Sequence, residues 1–418
     1  MDAAYRVWGR EFYLNTSLNR IASELGVSKQ ALYRHFRSKQ ALLDAMTRYF
    51  FDDFAAFIQA DYEKALKSED DGDRIFILIR SVAEYFARNV YFFIFSMTML
   101  HERKMDSFNL LEELCMRGID FEFFHRHIGK NRDNKPLVMR LIFVTLTFFM
   151  AGFFKRGKSS PVIGDIKHSP TEAAISKIID VIGEITGRGL GYTSEEIDIL
   201  DYEGLESRIT GMVNSIVDDP LLKAVAGAVA EAGPWEASME QVARRSGLAK
   251  SSLYCHFKSR QDMLYQLFKT EFMRISDFAK LGMRQSEVPQ EQLYLGIFSI
   301  AEYLRSKTDI LVALDWIRNR RLDFSPPDGK HKKPPGDFMR LFDGIDIKPL
   351  QNSENPFREI LTGEKENSAI SPWILFLIVN TLINKNPEQM LGDVPNSDIR
   401  LLYRFATLGI GGFKTSEK

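Results

Sequence analysis

Apolar residues recur along most of the chain at three- and four-residue spacing, which is the pattern of one buried face of an α-helix. Runs of this kind cover residues 42–58, 75–86, 137–150 and 171–185. No segment keeps the two-residue alternation of a half-buried strand for long. The pattern therefore predicts an all-α fold.

The helical pattern occurs twice in the chain. Residues 21–43 and 242–264 align without a gap at an offset of 221, and ten of the 23 aligned positions are identical. The register continues further on, where SVAEY at 81–85 matches SIAEY at 299–303. Two halves of nearly equal length with the same order of parts indicate a tandem duplication. We place the join between Gly187 and Glu206, where glycines and then acidic residues follow the last apolar run of the first half.

Each half opens with the sequence pattern of a helix-turn-helix. Ser17 is placed to cap a first helix, and Gly26 is placed to end it in a left-handed turn. Ser28 then caps a short second helix, and Ser38 caps a long third helix. The side chains of the second helix that point outward are Lys29, Gln30, Tyr33 and Arg34.

Charge separates this motif from a plain helical hairpin, which is the alternative that geometry alone leaves open. The whole chain has 55 Lys and Arg against 56 Asp and Glu, and its net charge is -1. Residues 1–48 nevertheless carry a net charge of +4, and residues 232–275 carry +3. Two local basic segments in a neutral chain indicate surfaces that face the phosphates of DNA.

The sequences LYRHFRSK at 32–39 and LYCHFKSR at 253–260 resemble the signature of the tetracycline-repressor (TetR) family of transcription regulators. This resemblance implies a ligand-responsive DNA-binding protein, normally a homodimer with two reading helices about one DNA turn apart. Here one chain would carry both subunits. The second copy departs from the family pattern at Ala249, where a capping Ser is usual, and at Cys255 before the His.

The resemblance implies a division into five parts. We expect a helix-turn-helix DNA-binding domain at 1–48, a helical ligand-binding and dimerisation domain at 49–190 and a linker at 191–215. A second helix-turn-helix domain at 216–268 and a second helical domain at 269–418 follow.

DNA contacts are predicted in both copies. In the first copy the predicted residues are Ser17, Ser28, Lys29, Gln30, Tyr33, Arg34, His35 and Lys39. In the second copy they are Lys250, Ser251, Ser252, Tyr254, His256 and Arg260. Because Gln30 can bond adenine in a bidentate way and Ser251 cannot, the first copy should read its half-site more tightly.

The chain contains 32 Phe and 15 Met, more bulky apolar side chains than packing alone demands. We expect most of them in the core or in an intrachain seam formed by residues 141–150 and 171–185 with 373–382 and 399–408. The rest are candidates to line an apolar cavity among the helices. The ligand-binding residues predicted in this way are Phe92, Phe95, Met99, His101, Phe121 and Phe124.

Other kinds of chemistry find little support in the sequence. Two cysteines allow neither a disulfide framework nor a thiolate metal cluster, and the longest apolar run, residues 141–154, is short for a membrane span. GFFKRGKS at 152–159 satisfies the phosphate-loop pattern but follows an apolar helical run instead of a strand. We therefore expect a cytoplasmic protein without catalytic activity, metal or cofactor.

The sequence thus favours a DNA-binding transcription regulator, a repressor that a small apolar or aromatic ligand releases from its operator. It would act as a single-chain pseudo-dimer. The alternative is a TetR-like DNA-binding scaffold whose effector is another protein, such as an architectural or cell-division factor.

Overall fold

A computed structural model describes residues 1–15, 18–102, 112–127, 135–156, 170–213, 219–320, 341, 369–383 and 394–413. Regular structure in these ranges is helical, without strands, which confirms the all-α prediction. The chain forms two compact units. Unit 1 comprises Met1–Arg188 with Phe413–Lys418, and unit 2 comprises Gly189–Gly412.

Unit 1 begins with three helices of the helix-turn-helix and continues with longer ones. These helices are α1 (Asp2–Asn15), α2 (Leu18–Leu25), α3 (Lys29–His35), α4 (Lys39–Leu66), α5 (Asp71–Arg88), α6 (Val90–Glu102), α7 (Glu122–His127), α8 (Lys135–Arg156) and α9 (Glu172–Arg188). Side-chain caps fix two of the starts. The Ser38 hydroxyl accepts from the Ala41 N–H at 3.0 Å, and the Asp70 carboxylate accepts from the Asp73 N–H at 3.1 Å.

The centre of unit 1 is a cluster of aromatic rings, here called the aromatic hub. Its members are Tyr5, Phe50, Phe54, Tyr85, Phe86, Phe92 and Phe95. The ring of Phe50 lies within 6.4 Å, centroid to centroid, of Phe54, Tyr85, Phe86, Phe92 and Phe95. Ring pairs in these geometries add about 0.5–1.5 kcal/mol each beyond the burial of apolar area. The hub therefore holds α1, α4, α5 and α6 together without directional polar bonds between rings.

Unit 2 repeats this helix order after two short connecting helices. Its helices are α10 (Ser194–Asp198), α11 (Tyr202–Thr210), α12 (Pro220–Glu236), α13 (Met239–Ser246), α14 (Lys250–His256), α15 (Arg260–Met283), α16 (Pro289–Ser306), α17 (Thr308–Arg320), α18 (Ile370–Leu382) and α19 (Asn396–Leu408). The long helix α15 matches α4, and α16 matches α5.

A polar cluster occupies the place in unit 2 that aromatic rings fill in unit 1. Glu271 aligns with Phe50 and is only 4% exposed. Its carboxylate accepts from the Tyr303 hydroxyl at 2.7 Å and from the Arg274 guanidinium at 2.9 Å. Because both carboxylate oxygens have a donor, this buried charge is compensated. We call Glu271, Arg274 and Tyr303 the polar trio.

The segment 191–215, predicted as a linker, contains helices α10 and α11. Thr193 and Glu196 form a reciprocal capping box at the start of α10. In α11, the side chains of Leu205 and Ile209 are buried. Most of this segment is therefore folded against unit 2.

Helix α8 contains an 18-residue stretch, Leu137–Phe154, that is long and apolar enough to cross a membrane by length and composition. Of this stretch, 61% is buried inside the protein. A core helix of a helical protein has the same properties, so the stretch by itself is weak evidence for a membrane span.

Candidate nucleic-acid interface

The first helix-turn-helix forms as its sequence predicts. Helix α2 buries Leu18, Ile21 and Ala22, and Gly26 ends it with a φ of 65°, a left-handed conformation that favours glycine. Leu25, the last residue of α2, lies off this buried face and is 49% exposed. The Ser28 hydroxyl accepts from the Ala31 N–H at 3.1 Å and starts helix α3.

Helix α3 presents the predicted DNA-contacting residues to solvent. Its exposed side chains are Lys29, Gln30, Tyr33, Arg34 and His35. The Lys29 ammonium lies 5.6 Å from the centre of the Tyr33 ring, a cation–π distance that orders both side chains on one face. Lys39 is half-buried at the start of α4, and Ser17 lies outside the described residues.

The second helix-turn-helix has the same backbone with different caps. Ser238 and Gln241 form a capping box at the start of α13, and Gly247 ends that helix with a φ of 70°. Helix α14 begins after Ala249 and has no side-chain cap. Among the predicted contacts, Ser252 is half-buried, whereas the exposed ones are Lys250, Ser251, Tyr254, His256 and Arg260.

In unit 1, aromatic side chains join the DNA-binding helices to the helical domain. Tyr5 and Trp8 of α1 are almost fully buried, and the Tyr5 hydroxyl donates to the Met46 carbonyl at 2.5 Å. The Tyr5 ring lies 4.6 Å from Phe92 and 5.0 Å from Phe95 of α6. Two of the predicted ligand-binding residues therefore pack directly against the first helix of the DNA-binding domain.

The other predicted ligand-binding residues lie further along unit 1. Phe121 is half-buried just before α7, and Phe124 is buried within α7. Helix α7 packs against α5, the helix that also carries two rings of the aromatic hub. The side chains of Met99 and His101 lie outside the described part of the structure.

In unit 2, small side chains and charges occupy the corresponding junction. Ala226 aligns with Tyr5, and Ala313 aligns with Phe95. The Arg245 guanidinium of α13 bonds the Glu231 carboxylate of α12 at 2.5 Å. It also crowds Gly227, where an added Cβ would come within 2.9 Å of it.

The charges of this junction are reversed between the two copies. In unit 1, Arg6 of α1 pairs with Glu24 of α2 at 3.7 Å, so the basic residue lies on the first helix. In unit 2 the acidic residue, Glu231, lies on the first helix. The sequence signal was available, because Glu24 aligns with Arg245, but we did not predict the pair.

Comparison with known families agrees with this geometry. The profile described as "Bacterial regulatory proteins, tetR family" matches residues 1–46 and 221–267. Both stretches contain a helix-turn-helix with the exposed second helix described above. The chain therefore carries two TetR-family units in tandem.

Two curated relatives of this tandem TetR protein are regulators. The fatty acid metabolism regulator protein of Bacillus subtilis (strain 168) is 21% identical over 135 residues, 32% of this chain and 68% of the relative. An HTH-type transcriptional regulator of Staphylococcus aureus (strain MRSA252) is 25% identical over 155 residues, 31% of this chain and 82% of the relative. Each match covers about a third of this chain and most of the relative, as expected if a single-unit regulator corresponds to one half of the tandem protein.

Within the described ranges, no group of three or more His, Cys, Asp or Glu residues is arranged to hold a metal ion. Cys115 and Cys255 are unpaired thiols, and both are exposed. The exposed side chains of α3 and α14, and the aromatic junction behind α3, are the features that bear on DNA binding.

Proposed function

We propose that this tandem TetR protein is a repressor that acts as a single-chain pseudo-dimer and leaves its operator when a small apolar or aromatic molecule binds unit 1. The observation that carries the proposal is the packing of Phe92 and Phe95 against Tyr5. Phe92 and Phe95 belong to the helical domain, and Tyr5 belongs to the DNA-binding domain. A ligand that displaces the α6 rings must therefore repack α1.

The energy required for release is modest. A ligand shifts a conformational equilibrium only by its difference in affinity for the two states. A hundredfold loss of operator affinity needs about 2.8 kcal/mol of such a difference. Burying one aromatic ring stabilises by about 1.5–3 kcal/mol, so a ligand whose own apolar groups replace one or two rings of the hub can supply this difference.

The apolar character of the hub and the name of one relative suggest the ligand class to test first. Its rings offer dispersion contacts and few polar groups, which suits an acyl chain or an aromatic ring. The Bacillus relative is named for fatty acid metabolism. Fatty acids and their thioesters are therefore the first candidates, and aromatic compounds are the second.

DNA reading is assigned to helices α3 and α14. Lys29 and Lys39 contact phosphates, while Gln30 reads a base edge. In the second copy Ser251 makes a single, less discriminating contact in the place of Gln30. The operator is therefore an imperfect palindrome whose half-site under the first copy is specified more tightly. A symmetric consensus, selected from a random DNA pool, would contradict this asymmetry.

The test of DNA binding uses two matched double variants. Lys29→Ala with Lys39→Ala removes two predicted phosphate contacts, so affinity for DNA upstream of the gene falls and the salt slope drops by about two units. Lys64→Ala with Lys67→Ala removes the same charge at the far end of α4, roughly 40 Å away, and leaves binding unchanged. Equal behaviour of the two variants would show that the first copy does not read DNA.

The pseudo-dimer and the ligand each have a separate readout. If residues 141–150 and 171–185 pair with 373–382 and 399–408 within one chain, light scattering gives the mass of a single chain. Addition of a fatty acid or acyl thioester should raise the melting temperature and release DNA together. If no small molecule does both, the protein-effector scaffold becomes the better account.

A further inference from the structure

Residues 189–210, here called the connector arm, follow helix α9 directly and are bound to the rest of unit 2 along their whole length. The arm begins with three backbone bonds. The N–H of Leu190 donates to the Ala406 carbonyl at 2.8 Å, and those of Gly191 and Tyr192 donate to the Thr407 carbonyl at 3.1 Å. These two carbonyls lie in the last turn of α19 and would otherwise lack a helical partner.

Gly189 makes this start possible. Its φ of 58° is in the left-handed region, where glycine is favoured. An added Cβ would lie 2.6 Å from the Ala406 carbonyl oxygen and 2.6 Å from the Gly409 nitrogen. Both neighbours are backbone atoms of unit 2, which cannot move aside as the end of a flexible side chain can. No larger residue fits at the first position of the arm.

The middle of the arm is held by a buried carboxylate. Glu206 of α11 is 6% exposed, and its two oxygens accept from Arg400 at 2.7 and 2.9 Å. The Tyr294 hydroxyl donates to it at 2.5 Å, and the Asn396 amide donates at 2.9 Å. A bidentate guanidinium pair with two further donors is strongly directional, so it specifies one seat for α11 between α16 and α19.

Apolar and aromatic contacts hold the arm in the same position. The Tyr202 ring lies 4.8 Å from that of Tyr294. Ile209 is fully buried, and its side chain contacts the position where a Cβ of Gly282 would stand. At the end of the arm, the Arg208 guanidinium donates to the Gln285 carbonyl at 2.9 Å. Contacts thus run from Gly189 to the last turn of α11.

We propose that the connector arm is an intramolecular latch: while it is docked, it restricts the motion of unit 1 relative to unit 2. With the arm docked, only the bond after Arg188 separates the last helix of unit 1 from backbone fixed on unit 2. With the arm released, roughly 30 residues would form the tether, with a root-mean-square span of about 30 Å and a maximum near 100 Å. The latch thus decides between a short, stiff connection and a long, loose one.

The two cysteines of the chain allow a direct test in the absence of DNA. Cys115 lies in unit 1 and Cys255 in unit 2, and both are exposed. Spin labels on both report the distribution of distances between the units. We expect a narrow distribution for the native chain and a distribution at least twice as wide for Gly189→Ala and for Glu206→Ala.

Two control variants match these changes. Gly211 has a helical backbone and no atom within 4 Å of an added Cβ, so Gly211→Ala should keep the narrow distribution. Glu203 is exposed on the same helix as Glu206, so Glu203→Gln should do the same. Hydrogen exchange of helix α19 in each variant verifies that unit 2 remains folded.

Hydrogen exchange also tests docking in the unmodified chain. The amides of residues 190–192 should exchange at least a hundredfold more slowly than exposed amides, and Gly189→Ala should abolish this protection. Rapid exchange of these amides in the native chain would show that the arm is not docked. If Gly189→Ala releases the arm but leaves the distance distribution narrow, the arm is docked in the native chain but does not restrict the motion of the units. Neither readout depends on the proposed repressor function.

Discussion

The two units have the same helix order but stabilise equivalent positions by different chemistry. In unit 1 the ring of Phe50 packs among aromatic side chains. In unit 2 the aligned residue, Glu271, is a buried carboxylate bonded by Tyr303 and Arg274. Aromatic contacts tolerate sliding and repacking, whereas a satisfied buried charge tolerates neither the loss of a partner nor a shift in position. Duplication has therefore left one adaptable core and one specified core in the same fold.

This difference agrees with a division of labour between the units. The adaptable core of unit 1 lies against α1 of its DNA-binding domain, where Tyr5 contacts Phe92. At the same junction unit 2 has Ala226 and an ion pair between Glu231 and Arg245. Our proposal for ligand response accordingly concerns unit 1, and the same proposal assigns the second reading helix to unit 2.

The largest effect on stability should come from exchanging the two aligned central residues, Phe50 of unit 1 and Glu271 of unit 2. Phe50→Glu buries a carboxylate beside Asp53, where unit 2 has Arg274, so the new charge meets a like charge instead of a partner. We expect unit 1 to lose about 4–5 kcal/mol or more. Glu271→Phe should cost unit 2 less, about 2–3 kcal/mol, because the part-exposed Arg274 can turn towards water.

Denaturant unfolding of each variant, followed by hydrogen exchange in each unit, measures both effects. Phe50→Leu is the control that preserves apolar character, and its cost should stay near 1 kcal/mol. If Phe50→Glu is as stable as Phe50→Leu, the hub is not a desolvated core.

Acidification should have an effect of intermediate size on the stability of unit 2. Burial by itself would raise the pKa of Glu206, but the bonds from Arg400, Tyr294 and Asn396 outweigh it, so the pKa lies below its ordinary value of 4.5. A lowered pKa stabilises the folded state above pH 4.5, and this contribution disappears as pH falls through the folded value. Unit 2 should therefore lose stability on acidification.

The variant Glu206→Gln isolates this contribution. It should cost about 1–3 kcal/mol at neutral pH, a range reduced from that of a fully buried pair because Arg400 is 31% exposed. It should also flatten the dependence of unit 2 stability on pH below 5. Melting curves between pH 3 and 7 would contradict the assignment if native chain and variant showed the same acid slope.

The smallest effect concerns the stability of helices α3 and α14. Ser28 caps α3, whereas Ala249 leaves α14 without a side-chain cap. Ala249→Ser should stabilise the second helix-turn-helix by about 0.5–1 kcal/mol, and Ser28→Ala should destabilise the first by a similar amount. Hydrogen exchange of the two helices measures both changes, with Ala249→Gly as the control that supplies no hydroxyl. Unaltered exchange in Ala249→Ser would show that the cap does not limit α14.

Local rules account for what the sequence predicted well. Caps such as Ser28 and Ser38, and left-handed glycines such as Gly26, act within three or four residues, so a short window contains their whole cause. Most of these local signals occur in both halves of the chain. They are sufficient to predict both helix-turn-helix motifs and the all-α class without knowledge of how the helices pack.

Packing between distant helices accounts for what the sequence did not predict. Glu206 and Arg400 are 194 residues apart, and no periodicity joins them. We read the arm that contains Glu206 as a linker because its glycines and acidic residues are typical of loops. The polar trio could have been predicted in part, since aligning the halves beyond residue 43 places Glu271 opposite Phe50 and Arg274 opposite Asp53. That substitution of a charged pair for a ring is visible in sequence, although its burial is not.

The reversed charges at the two junctions have a consequence for how a duplicated chain reaches its native state. Two similar halves made on one ribosome can exchange helices, and such swapped products are a hazard of repeated sequences. If α2 settled on α12, Glu24 would face Glu231, and if α13 settled on α1, Arg245 would face Arg6. Each mispairing places like charges next to each other, and their repulsion favours correct pairing when the helices first associate during folding. Exposed pairs contribute about 1 kcal/mol or less each, which suffices to bias a choice between near-equal partners. Exchanging the charges of Glu231 and Arg245 should lower the yield of refolded monomer while leaving the melting temperature of correctly folded protein almost unchanged.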